Sequence, residues 1–149
     1  MLKLKFSLQI ASSFAQVPSK AQFKKWAKAA LLVDTEVTIR VVDAEEALTL
    51  NNTYRGKNYA TNVLTFALTE EPILMGDIII CAPVVAAEAV AQNKPLEAHY
   101  AHLTVHGMLH LSGFDHEDEH QAELMEGLEI QILTKLGYAN PYIITEGAA

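Results

Sequence analysis

The chain has 149 residues, half of them hydrophobic and 7% aromatic, with one cysteine and a formal net charge of −7. That length suits one domain with a real core; no apolar run reaches the roughly 18 residues of a membrane span, and a lone cysteine excludes an intrachain disulfide framework. Residues 1–60 carry nine of the eleven Lys and Arg against five acids, and residues 61–149 carry two Lys against thirteen acids, so an anionic ligand can meet a basic N-terminal face although the whole chain is acidic.

MLKLKFSLQI alternates Leu2, Leu4, Phe6, Leu8 and Ile10 with polar residues. This predicts a half-buried strand rather than the unbroken apolar stretch of a signal peptide. Pro18-Ser19 opens a helix to about Leu32, with Phe23, Trp26, Ala27 and Ala30 inward and Lys20, Lys24, Lys25 and Lys28 outward. EVTIRVVD, 36–43, is a second strand, and Asp43 is placed to cap a short helix over Ala44–Asn51. NVLTFAL, 62–68, and ILMGDIIICA, 73–82, are the third and fourth strands. Cys81 in the last of these reads as a small buried hydrophobe, which fits a reducing, intracellular compartment. Pro83 suits the first turn of a helix to about Gln92. A further helix runs from Leu96 to about Leu111 and stops at Gly113. The last helix, about Glu117–Leu136, has Leu124, Leu128, Ile132 and Leu136, with Met125, on its apolar side. Strands come early and helices cluster late, so the class is α+β, a single domain over 1–149 with 137–149 as a surface tail.

All six histidines fall between His99 and His120, and HGMLHLSGFDH, 106–116, holds three of them. On a helix at about 100° per residue, His106 and His110 share one face a turn apart. An unbroken helix would carry His116 away. Gly113 can take positive φ, turn the chain and return His116 to the first two. Three neutral imidazoles leave one tetrahedral position of Zn²⁺ open, as catalytic zinc sites do. Ni²⁺ or another divalent transition metal suits the same donors. Asp115 is a candidate to orient a ligand imidazole. Glu117 reads as a cap or surface acid, and His99, His102 and His120 as ordinary core or surface histidines, although His99 and His102 lie near the same helix face. The spacing matches the metzincin peptidase pattern, but Gly107 stands where that pattern needs a glutamate base. Metal-site geometry is kept while peptidase chemistry loses its proton acceptor.

Tyr54-Arg55-Gly56-Lys57 is basic and lies between a helix and a strand. Gly56 permits a turn from which Arg55 projects. A guanidinium takes phosphate oxygens in a two-pronged contact and Lys57 adds a point charge. YRGKNYATNVLTF, GDIIIC and HLTVHGMLHLSGFDH, in that order, with a closing LGYANPY, resemble the YbeY-type bacterial rRNA maturation endoribonucleases across nearly the whole chain. The resemblance implies a small mixed sheet flanked by helices, with a metal site at the end of a helix in the C-terminal half. It implies a cytoplasmic, metal-dependent, single-strand-specific endoribonuclease acting in 16S rRNA 3′-end maturation and ribosome quality control. It makes His106, His110 and His116 the zinc ligands and Arg55 the catalytic arginine. It brings in the small ribosomal subunit, assembly proteins and an Era-type GTPase as partners. His106 is therefore both ligand and catalytic, and Arg55 and Lys57 are the RNA-binding pair. Thr65, Ala67 and Ser112 are small departures from the family's usual Ser, Pro and apolar residue. The nucleophile is water or the RNA's own 2′-OH. Two rivals stand beside this reading: a zinc peptidase-like hydrolase, and a non-enzymatic ribosome-assembly factor with a structural metal.

Overall fold

The computed structural model describes residues 1–114 and 118–143. The first alternating segment forms β1 (Leu4–Ala11), in which Leu4, Phe6 and Leu8 pack on the core while Ile10 stays exposed. Ser19 then caps α1 (Lys20–Ala29). Its hydroxyl accepts from the Gln22 N–H and the Gln22 side chain accepts from the Ser19 N–H, so two orphan donors of the first turn are satisfied reciprocally. The helix ends before the expected Leu32, and Leu32 and Val33 lie exposed in the following turn. β2 (Thr35–Val42) follows, then α2 (Ala44–Arg55), β3 (Val63–Thr69), β4 (Leu74–Cys81), α3 (Ala82–Ala91), α4 (Leu96–Leu111) and α5 (Glu119–Lys135).

Four strands make one mixed sheet in the order β1-β2-β4-β3. β1, β2 and β4 run parallel, and β3 is an antiparallel edge strand with Thr65 opposite Ile78. A larger core lies on one face, where Phe23, Trp26, Val37, Ile39, Ile78, Ile80, Tyr100, Val105 and Met108 are all fully buried. Each such side chain contributes about 1.5–3 kcal/mol by leaving water. α4 is apolar on nearly every side because it runs through this core. A smaller cluster on the opposite face joins Val42, Ala47, Leu64, Ile79 and Cys81 under α2.

Two expectations need correction. Asp43 stands at the N-cap of α2 but makes no cap bond. Its carboxylate is taken by the Ser12 hydroxyl at 2.5 Å and by the Ser13 N–H and hydroxyl at 3.1 and 3.0 Å. α5 begins at Glu119, capped by Asp118, and its buried stripe is Met125, Glu129 and Leu133. Leu124 is 52% exposed, so the seam lies one residue from the predicted one. The described part of the tail folds back on the helices: the Tyr138 hydroxyl accepts from Trp26 Nε1 and donates to Glu97, and Tyr142 reaches Glu129.

Candidate active site

Helix α4 carries His106 and His110 one turn apart, with ring centroids 6.2 Å from each other. The spacing lets both reach one ion with bonds of about 2 Å. The helix stops as the sequence requires: Gly113 has φ +105°, and the Phe114 N–H turns back to the Leu109 carbonyl at 3.1 Å. His116 and Asp115, expected as third ligand and orienting acid, lie outside the described residues. Among the described residues no three side chains of metal-binding type share a centre.

Both imidazoles are fixed through Nδ1. His106 Nδ1 meets Glu129 Oε2 at 3.2 Å, and His110 Nδ1 meets Thr65 Oγ1 at 3.1 Å. A carboxylate can only accept, so the proton of His106 sits on Nδ1. Glu129 is wholly buried on α5 and also receives His102 Nε2 at 2.9 Å and the Tyr142 hydroxyl at 2.5 Å. Burial alone would raise its pKa. The hydrogen bonds from His102, His106 and Tyr142 outweigh that and hold it at about 2. Burial, together with the same carboxylate, pushes the Tyr142 phenol far upward. The donor set therefore suits a transition metal: imidazoles oriented by a buried carboxylate on one side and a hydroxyl on the other.

Arg55 arrives from the other side of the cleft. α2 runs one turn beyond the predicted Asn51; its inner face is Ala47 and the buried amide of Asn51, so no apolar stripe marks that last turn in the sequence. Gly56, at φ +67°, ends it in the left-handed conformation, and Arg55 occupies the last turn. Arg55, Lys57, His106, His110 and Thr65 line one cleft of about 320 Å³. Among the described residues, no Asp or Glu lines it, although the chain as a whole is strongly acidic. Two cations, with no carboxylate among the described lining residues, make this a cleft that suits an anion.

The family model for endoribonuclease YbeY matches residues 7–137. The chain belongs to the YbeY endoribonuclease family. A YbeY from Methylobacillus flagellatus is 63% identical over 142 residues, covering 95% of each chain. One from Paraburkholderia phymatum is 54% identical over 147 residues, covering 94% of this chain and 96% of that one. The solution structure of TM1509 from Thermotoga maritima shares the fold, with a TM-score of 0.57 and 25% identity over 95% of this chain and 98% of that one.

The remaining histidines of the chain do separate things. His99 is buried against Glu88 at 2.9 Å, and burial holds its pKa down in spite of that carboxylate. His102 stands behind the cleft on Glu129, and His120 is exposed in the first turn of α5. Glu129 and Tyr142 were not legible as site residues. The available signal was an acid at i+4 from Met125 and i−4 from Leu133, on the stripe that proves to be buried. Among the described residues no helix is long and apolar enough to cross a membrane.

Proposed function

We propose that this chain is a zinc-dependent endoribonuclease that cuts single-stranded RNA in its cleft, acting in 16S rRNA 3′-end maturation. One observation carries the reading: two cations and two oriented imidazoles open on one cleft free of carboxylates among the described residues. The chemistry supports His106, His110 and His116 as the zinc ligands. The Nδ1 contacts of the first two support coordination through Nε2, a tautomer in which Thr65 would accept the His110 Nδ1–H. Ni²⁺ or another divalent metal fits the same donors. A metal held by these imidazoles would supply Lewis-acid chemistry toward a phosphodiester oxygen. Arg55 forks onto the phosphate and neutralises charge developing in the transition state. Lys57 holds a neighbouring phosphate as a point charge. Asp115 is a further candidate to orient a ligand. The small ribosomal subunit, its assembly proteins and an Era-type GTPase are the proposed partners, in the cytoplasm.

A peptidase reading is disfavoured by Gly107. Glycine supplies no carboxylate to act as base, and a Cβ there would meet Ile78 side-chain atoms at 3.0 Å, so the position serves helix–sheet contact. The deciding experiment incubates metal-replete protein with single-stranded RNA spanning the 16S 3′ end. The wild type cuts it; Arg55→Ala, with unchanged zinc content and melting temperature, cuts on the order of 10²–10³ times more slowly. Cleavage at the wild-type rate by Arg55→Ala removes the proposed role of Arg55. A metal-replete wild type that leaves RNA intact favours the non-enzymatic assembly factor.

A further inference from the structure

Arg55 and Lys57 recognise phosphate, and phosphate is present in single and double strands alike. The cations of the cleft therefore do not explain a choice between the two. Tyr59 sits on the same cleft and is 57% exposed. Its backbone is held firmly. Asn51, only 2% exposed, donates from Nδ2 to the Tyr59 carbonyl at 2.9 Å and accepts the Lys57 N–H on its own carbonyl at 3.3 Å. A little further on, the Asn62 carbonyl accepts the Cys81 N–H at 2.9 Å, which ties the loop to β4. Tyr54, also exposed, has its ring edge-on to Phe66 at 5.2 Å. Tyr59 has no ring partner among the described residues. A large apolar ring in water, on a tethered loop beside two phosphate-binding cations, is built like a stacking platform.

We propose that Tyr59 stacks on an unpaired nucleobase next to the phosphate held by Arg55, and that this contact makes the cleft select unpaired RNA. In a duplex both faces of every base are covered by its neighbours, so the ring gains nothing there. The inference rests on the ribonuclease reading above and names the substrate feature that this site reads.

The test uses the tryptophan content of the protein. Trp26 is the single tryptophan and is 1% exposed, so it gives a constant background. Tyr59→Trp places a reporter on the cleft. Its emission should be quenched by single-stranded oligouridylate and oligoadenylate, but neither by an RNA duplex nor by an abasic oligomer of equal length and charge. In parallel, Tyr59→Ala should weaken single-strand binding at least about fivefold and raise KM with kcat retained, while Tyr59→Phe stays within about twofold of wild type. Equal quenching by the abasic oligomer, absence of quenching at saturation, or wild-type binding by Tyr59→Ala overturns the proposal. Its failure is separable from that of the ribonuclease reading. If the wild type never cuts RNA but base-dependent quenching occurs, stacking stands and the enzyme reading falls. If the wild type cuts and Tyr59→Ala matches it in binding and KM, stacking alone falls.

Discussion

Glu129 keeps a negative charge while wholly shielded from the surface, and three donors make that tolerable. A buried carboxylate with one donor removed is costly, and one with all its donors is a rigid anchor. Because His106 is one of those donors, the anchor fixes both the tautomer and the tilt of a proposed zinc ligand. Replacing it with an isosteric amide removes the charge and leaves one oxygen for three donors. Glu129→Gln is expected to bind zinc ten- to hundredfold more weakly, an effect of about 1.4–2.7 kcal/mol, measured by competition with a chromophoric chelator. Unchanged zinc affinity in that variant, with loss of binding in His106→Ala, would show that Glu129 does not orient the ligand. The triplet of histidines was visible in the sequence because the side chain is rare, and two copies one helical turn apart with a third beyond a glycine suit a shared ion. Glu129 was not, because an acid on a helix with many acids stands out only once the buried face of that helix is known. A seam centred on Leu124, Leu128 and Ile132 leaves Glu129 at its edge, whereas the buried stripe of Met125 and Leu133 runs through it.

At the level of elements, α4 packs against β3 and β4, and its His106 and His110 line the cleft. Gly107 suits that packing: an added methyl would sit 3.0 Å from Ile78, a fully buried residue of β4 that pairs with Thr65. Helix propensity favours Gly107→Ala by about 1 kcal/mol, and crowding in a packed core costs about 1–3 kcal/mol. The clash should prevail by roughly 1 kcal/mol, read as a lower denaturation midpoint with an unchanged slope. A variant more stable than wild type would mean that the helix–sheet gap is looser than this geometry. The strands and the core helices were legible from their periodicity. The last turn of α2 was not, since LNNTYR offers no apolar stripe and its inward residue is a buried asparagine. Asp43 illustrates the same limit: its position announces a cap, while the serines just past β1, distant in sequence, claim its carboxylate. Those hydrogen bonds hold Asp43 below the usual carboxylate range. A group with a depressed folded pKa adds stability above its unfolded pKa of about 4 and loses it as pH falls through the folded value. Asp43→Asn should thus be less stable than wild type at pH 7, with the gap closing as pH falls below the unfolded pKa of about 4. A gap independent of pH across that range would assign the loss to something other than the charge.

For the molecule as a whole, the question is whether the metal builds the fold or only occupies it. The large core runs through Trp26, Ile78, Tyr100 and Met108 without any of the proposed ligands, and the sheet ladders are complete without them. Chelator-treated protein should therefore keep its far-UV circular dichroism. A ligand that binds only the folded state still stabilises it: zinc at about a hundred times its Kd adds about 2.7 kcal/mol, which for a chain of this size is a rise of about 5–10 °C in melting temperature. His106→Ala/His110→Ala should show no such rise, because the two α4 ligands are gone while the core is intact. An equal rise in the double variant would place the stabilising zinc elsewhere on the chain and remove the metal site from the cleft. Loss of the folded spectrum on chelation would instead make the metal structural, and the cleft would lose its strongest claim to be a reaction site.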